Sequence, residues 1–568
     1  MTDVQQGDGE EESTSAALSD TELVIGLVGA LGSDLPGVAN TLRAKLTDVF
    51  DYESSVIGVS GLMRDLDPER DLEPEGEDRR IQVNMDAGRD LNEAWHPTWR
   101  RHDALARLSI LEVAAERERV NGARDQEDPQ RPLDRFAFIL RSFKRPDEIG
   151  LLRAVYGERF VLFGVHAPRK RRRQALFEKI TPSYASDLEY EWHDEEELSI
   201  DYLMARDERE RGEAGQNVRG TFYRADFFIN DAEEKRGDEI ERCLRVLFGD
   251  YFATPTRDEV GMAHASIAAR RSAEPGRQVG SAVTDGAGNV LAVGCNEVPR
   301  AFGGQYWPED DAPPDGREFR RPPLGDGSQR DTNNVQQEAI ADDLLNGLRR
   351  RLAREVDEAL EALDSKEIDK EAIAPVRVHL ESIRSLEARE TILQSKLGDI
   401  TEFGRAVHAE MAAITTAARL GIPLQDATLY TTTFPCHNCA RHVIATGIRR
   451  LVYVAPYAKS KAYELHDDAL VVAPDEAVSD KVTFEPFIGV APRRYAHLFE
   501  ARDRKTDDGT LSVFKPRVAV PRLQDADPPD IPLDQLGYGM RETAISGPME
   551  SFLSGAEPTI RQPDQGSK

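Results

Sequence analysis

The chain has 568 residues, 39% of them hydrophobic and 31% charged, which is enough apolar material for several packed domains. No continuous apolar run approaches the ~20 residues of a membrane span, and the acidic N-terminus lacks the basic-then-apolar layout of a signal peptide. A formal net charge of −30 sets the surface against phosphate backbones, so large nucleic acids are poor general partners, although a locally basic pocket could still take a small phosphorylated ligand. Residues 1–20 are acidic, carry Gly and Ser without apolar period, and predict a disordered tail. In "ELVIGLVGALGSDLPGVANTLRAKL", Leu23–Val28 predicts a buried strand. A glycine-rich turn follows, then a helix with Val38, Leu42 and Leu46 on one side. Further strands are expected at 135–140, 159–165 and 223–229, with helical patterns such as 145–157 between them. Alternation of this kind argues for a parallel α/β sheet domain over 21–255.

Strand, glycine loop and helix together make the P-loop arrangement. A working Walker A motif needs a Lys for the phosphates and a Ser or Thr for Mg²⁺. Counted from Gly29, those positions hold Leu35 and Pro36, and Asp34 stands where a glycine belongs. Phosphoryl transfer is therefore disfavoured. Gly29, Gly32 and Ser33 could still offer backbone N–H groups to a nucleotide at the helix start, or the domain could be a scaffold. The basic run "RKRRR" at 169–173 reads as a solvated loop or, alternatively, as a lid over phosphates or an RNA contact.

A second domain is expected over 256–505. It opens with a helix, then two alternating strands, "RQVGSAVTD" and "NVLAVGCNE", joined by a glycine-containing turn as a hairpin. Residues 301–332 read as a loop and 333–400 as charged helix, so an inserted helical hairpin is placed at about 305–400. The proline-rich stretch 506–568 predicts a tail that wraps the surface or stays mobile.

Only four cysteines occur, at 243, 295, 436 and 439, too few for a disulfide framework and in keeping with a reducing cytoplasm. Two of them belong to "TTTFPCHNCARHV", and His408 and Glu410 stand about thirty residues earlier in "VHAEMAAI". His408, Cys436 and Cys439 supply one nitrogen and two sulfurs, a donor set that suits zinc and leaves a fourth position for water. Two Cys separated by two residues at a helix N-terminus can aim at one ion, and the helix dipole favours their thiolates. Pro435 fits the first helical position, where its missing N–H costs nothing. Glu410 would lie beside the open position without ligating, able to take a proton from water and pass it on. A closed structural zinc knot, with His437 or His442 as fourth ligand, and a redox dithiol are the competing readings.

The His-x-Glu and Pro-Cys-x-x-Cys pair is similar to the signature of zinc nucleobase deaminases. With "RQVGSAVTDGAGNVLAVGCNEVP" as a first hairpin, the second domain resembles the cytidine and deoxycytidylate deaminase superfamily. The resemblance implies a three-layer α/β/α fold, Zn²⁺ on His408, Cys436 and Cys439, and Glu410 as the proton-transfer residue. It further implies that Asn296 holds the sugar 3′-hydroxyl, that Tyr457 sits near the sugar or ring, and that Lys459 and Lys461 contact phosphates. "RSFKRPDE" and "GQNVRGTFYRADFFI" look like further segments of a P-loop-kinase-like domain. The two domains together resemble the bacterial anti-phage dCTP deaminases. That resemblance implies deamination of dCTP or dCMP, depletion of the cellular dC nucleotide pool, and restraint by a regulatory nucleotide or an RNA antitoxin. It also implies a homo-oligomer. A nucleic-acid cytidine deaminase and a non-catalytic nucleotide sensor with structural zinc are the alternatives.

Overall fold

The computed structural model describes residues 21–66, 71–74, 76–99, 101–183, 194–210, 212–309, 316–320, 331–362, 386–400, 402–457, 460–473, 480–500, 504–523 and 538–553. The expected tail at 1–20 and Lys459 lie outside these residues. The chain forms two compact units, one made of Met1–Glu259 with Ile488–Lys568, the other of Val260–Phe487.

The first unit begins β1 (Leu23–Gly29), α1 (Leu35–Phe50), β2 (Glu53–Gly58), α2 (Val59–Leu66), α3 (Glu77–Trp99) and α4 (Ala104–Ala123). It continues β3 (Phe136–Arg141), α5 (Pro146–Tyr156), β4 (Phe160–His166), α6 (Arg169–Ser183) and α7 (Asp194–Glu208). Then come α8 (Val218–Phe222), β5 (Phe227–Asn230) and α9 (Glu233–Leu247). Strands β2, β3, β1, β4 and β5 run parallel in that order, with Val24 opposite both Phe138 and Phe160. Every residue of β1 is buried, as a parallel strand covered on both faces requires. Val38, Leu42 and Leu46, the predicted stripe of α1, are fully buried with Phe163, Phe227 and Leu244.

Two expectations are corrected here, and one strand was not expected at all. Strand β2, "ESSVIG", is half polar and carries no sequence signal as clear as its neighbours'. The strand placed at 223–229 starts only at Phe227, because Asp226 turns inward and accepts the Leu162 N–H at 2.8 Å. The basic run is the first turn of α6, not a loop. Its charges are tied down: Arg169 to Asp201 at 3.0 Å, Arg171 to Asp231, and Arg172 to the Leu31 carbonyl at 3.2 Å.

The second unit contains α10 (Arg257–Ala269, whose first residues belong to the first unit), β6 (Gly280–Thr284), β7 (Val290–Cys295), α11 (Thr332–Ala362) and α12 (Leu386–Leu393). After these come α13 (Ala409–Leu420), β8 (Thr428–Thr433), α14 (His437–Ala445) and β9 (Arg450–Ala455). The unit ends with α15 (Ala462–Leu465), β10 (Leu470–Val472) and β11 (Val482–Pro486). The sheet order is β10-β11-β9-β8-β6-β7; β6 is antiparallel to β7 and β8, and the other pairs are parallel. The predicted hairpin is β6–β7, its turn closed by Asp285 Oδ1 accepting from the Ala287 and Asn289 N–H groups at 2.9 Å. Within the insert, α11 and α12 are joined by Arg389 to Glu338 at 3.3 Å and Asp342 at 2.9 Å.

The chain then returns to the first unit with β12 (Gly489–Val490), α16 (Pro492–Phe499) and α17 (Tyr538–Leu553). Strand β12 adds antiparallel to β5. The break expected at 505 thus falls at 487, and the stretch expected as a tail carries α17, which docks on α4. Arg117, fully buried, bonds Glu22 at 2.8 Å and Glu542 at 2.7 Å, and Tyr538 donates to Glu22 at 2.8 Å. A buried guanidinium needs such partners, and the carboxylate from α17 is one of them.

Candidate active site

Strand β8 ends at Thr433 and delivers Phe434–Pro435–Cys436 to the carboxyl edge of the sheet, where open α/β sheets place their ligands. Cys436 is the N-cap of α14 and Cys439 lies one turn in, so both sulfurs sit at the positive end of the helix dipole. Pro435 therefore stands just before the cap, not at the first helical position. His408 is the N-cap of α13, and Glu410 lies in that helix's first turn. Two helix N-termini converge.

The convergence depends on close packing. Gly294 in β7 touches α13 so closely that a Cβ there would clash with Ala413 N and, at 2.5 Å, with Ala409 O. The inner face of α13 is Ala409, Ala412, Ala413 and Ala417, all small enough for that approach.

His408 Nδ1 lies 3.3 Å from Cys436 Sγ and 3.4 Å from Cys439 Sγ. Tetrahedral zinc with Zn–N near 2.1 Å and Zn–S near 2.3 Å sets an N···S separation of about 3.6 Å. The three donor atoms lie within 4.8 Å of one another, so the set fits zinc in spacing as well as in softness. Among the described residues no fourth His, Cys, Asp or Glu donor joins this cluster. His437 turns instead to Glu402, 3.6 Å away.

In this arrangement the Cys436 thiol is pulled down to about 4 by hydrogen bonds from Cys439 and then His408. His408 is pushed up to about 9, chiefly by its hydrogen bond with Cys436. Zinc would replace those shared protons, because it binds thiolates and neutral imidazole. Glu410 is buried, and desolvation raises its pKa against the opposing pull of the His408 charge. Its Oε1 lies 3.5 Å from Thr431 Oγ1.

The predicted substrate residues are spread more widely. Tyr457 is faced by Arg277, whose guanidinium lies 5.9 Å from the ring centroid. Ser460 donates to the Pro435 carbonyl at 2.7 Å, tying the loop after β9 to the residue before Cys436. Lys461 is exposed and paired with Glu464 at 2.7 Å. Asn296 is buried, and its amide serves the backbone: Oδ1 accepts from Val279 N at 2.7 Å and Nδ2 donates to Arg277 O at 2.8 Å. Two residues escaped the sequence reading. Arg277 is one; the other is Glu274, pushed up to about 7 by burial, with Glu318, Glu297 and Asp331 adding and His408 opposing. Its Oε2 is buried with no hydrogen-bond partner among the described residues. Both sit in "AEPGR" ahead of β6, a loop with no motif spacing to mark it.

In the first unit, Gly29 is the last residue of β1, and Gly32 and Ser33 lie on the turn from β1 to α1. Gly32 has φ +88°, and a Cβ there would meet the Arg172 carbonyl at 2.5 Å. Three N–H groups in and just after the turn are already taken by carboxylates, and the Ser33 N–H by the Ala30 carbonyl at 3.0 Å. Leu31 N donates to Asp207 at 2.7 Å, Asp34 N to Asp231 at 3.3 Å, and Gly37 N to Asp34 at 2.9 Å. Lys144 pairs with Asp207 at 2.7 Å. A phosphate entering this turn would meet three carboxylates, each already paired with a cation (Asp207 with Lys144, Asp231 with Arg171, Asp34 with Arg236), where a Walker A loop offers open donors.

Residues 255–455 match the family described as the cytidine and deoxycytidylate deaminase zinc-binding region. The deoxycytidylate deaminase of Enterobacteria phage T2 is 46% identical over 55 residues, 10% of this chain and 29% of that one. That of phage T4 is 46% identical over 55 residues and covered to 28%. ComE operon protein 2 of Bacillus subtilis (strain 168) is 36% identical over 81 residues, 13% of this chain and 43% of that one. The chain thus spans less than half the length of these curated relatives. Among solved structures, the dCMP deaminase of cyanophage S-TIM5 in apo form aligns at 13% identity over 41% of this chain and 99% of that chain, with a TM-score of 0.20. The stretch that carries His408, Glu410, Cys436 and Cys439 is the part of the chain that matches a zinc-binding deaminase family.

Proposed function

We propose that the second unit is a zinc-dependent deaminase that hydrolyses deoxycytidine nucleotides, dCMP or dCTP, to their uracil forms and ammonia. The observation that carries this reading is the convergence of His408, Cys436 and Cys439 beside a buried, unligated Glu410. The names of the phage relatives point to deoxycytidylate as the substrate class.

His408, Cys436 and Cys439 would hold the zinc, which supplies the Lewis acidity that makes water a nucleophile near neutral pH. The residues of this chain do the rest. Glu410 takes a proton from the attacking water as oxygen bonds to C4 of cytosine. It gives that proton to ring N3 and then relays the proton of the newly added hydroxyl to the amine, so C4=O forms as the C4–N4 bond breaks and ammonia leaves. A raised pKa suits the role, since the carboxyl must both accept and return a proton. Tyr457 and Arg277 are proposed to border the base and sugar, with Arg277 toward the phosphate; Lys459 and Lys461 are secondary phosphate contacts. The Asn296 amide, engaged by backbone, is proposed to shape the 277–279 loop that carries Arg277, with any sugar contact coming from its remaining donor.

The wider proposal follows the two-unit layout: loss of dC nucleotides starves viral DNA synthesis, and the first unit, a regulatory nucleotide or an RNA antitoxin restrains the enzyme in a cytoplasmic homo-oligomer. Incubating purified protein with a panel of cytosine nucleosides, nucleotides and oligonucleotides, followed by chromatography, tests the core of it. Conversion of dCMP or dCTP is expected. Conversion of oligonucleotides alone, or of nothing by zinc-loaded protein, overturns it.

A further inference from the structure

We propose that His96, His102 and Glu213 form a second cation site, suited to zinc and lying wholly within the first unit. His96 sits in the last turn of α3, and His102 precedes Asp103, the N-cap of α4. Glu213 lies on the loop between α7 and α8. One donor atom from each lies within 4.8 Å of the other two.

A second observation points to a ligand. Both ring nitrogens of His102 are buried; the ring has a weak contact with the Asn92 backbone, and neither nitrogen makes a hydrogen bond of good geometry among the described residues. A buried nitrogen left short of a good partner is costly, so the fold gains from an offset. A bound cation provides one. The imidazoles now lie face to face, with centroids 4.4 Å apart and planes 8° apart. A cation draws ring edges, not faces, to a common point. His96 is only half-buried, so rotation about its Cβ–Cγ bond is open to it.

Arg145 holds the scaffold together. Its guanidinium donates to the carbonyl oxygens of His102 at 3.3 Å, Glu213 and Gly215, joining the two loops that carry ligands. Asp147, 3.5 Å away, offsets its charge. Two imidazoles and a carboxylate suit Zn²⁺ and are too nitrogen-rich for Mg²⁺ or Ca²⁺. Such a site would pin the α3–α4 corner to the 209–217 loop.

The test is metal content. Untagged full-length protein is stripped with a chelator, dialysed against Zn²⁺, and assayed by mass spectrometry. About two zinc ions per chain are expected in the wild type, and about one in His102→Ala, Glu213→Ala or Cys436→Ser. Glu213 is exposed, so its replacement leaves the fold intact, which circular dichroism checks. In a Cys436→Ser background, Zn²⁺ should raise the melting temperature, and adding Glu213→Ala should abolish that rise. A wild-type content of about one, or an unchanged count in both Glu213→Ala and His102→Ala, overturns the proposal. Either result leaves the deaminase reading untouched, because the cysteine cluster is counted separately.

Discussion

In the proposed reaction, Glu410 concentrates the chemistry in one side chain. Glu410→Ala is expected to lower turnover by roughly 10²–10⁴-fold, the usual weight of positioned proton transfer, while zinc content stays unchanged. A chromatographic assay with parallel metal analysis reads both. Retained turnover would remove Glu410 from the reaction. A different carboxyl, Glu148, makes a pH prediction. Burial pushes it up to about 7 from 4.5, although its carboxylate accepts the Lys144 and Arg145 N–H groups at 2.9 Å. The folded state therefore holds this proton more tightly than the unfolded chain. Its stabilising effect is complete below pH 4.5 and is lost as pH rises through about 7. Glu148→Gln should gain roughly 3 kcal/mol over wild type at pH 8 and little at pH 4.5, measured by urea denaturation. An equal difference at both pH values would count against it. The cluster of His408, Cys436 and Cys439 and its proposed neighbour Glu410 were legible because fixed spacing marks them. Glu274 and Arg277 were not, because nothing in a short loop records which side chains face a site.

Elements explain how those residues meet. Two helices begin at His408 and Cys436, and Gly294 allows the first to lie against β7. Gly294→Ala would overpack that contact, costing about 1–3 kcal/mol, and would push the start of α13 off its place. The expected outcome is a lower melting temperature together with weaker zinc retention in a chelator competition. A drop in stability without zinc loss would show that the helix start is set elsewhere. Strands β1, β3 and β4 read clearly in sequence as continuous apolar runs because both their faces are covered. Strand β2 did not, since only Ile57 in it is fully buried. The RKRRR helix was hidden too. Its partners Asp201 and Asp231 stand thirty to sixty positions away in sequence, so its charge read as solvated.

Across the whole molecule the acidic composition contrasts with a buried ionic knot in the first unit. Arg117 bonds Glu22 near the start of the described chain and Glu542 in α17. Glu542→Ala leaves that guanidinium short of a partner and should destabilise the first unit by about 3–5 kcal/mol. Thermal unfolding followed with zinc retention would separate the units: the first melts earlier, and the cysteine site keeps its metal. No helix among the described residues is long and apolar enough to cross a membrane. The second unit interrupts the first, and β12 and α17 come after the interruption. This nesting inverts the order of maturation during translation. Once Phe487 has cleared the ribosome, the inner unit is complete and can fold around its metal. The outer sheet, begun at Leu23, still lacks its edge strand and the helix that neutralises Arg117. The portion synthesised earliest is therefore the last to close.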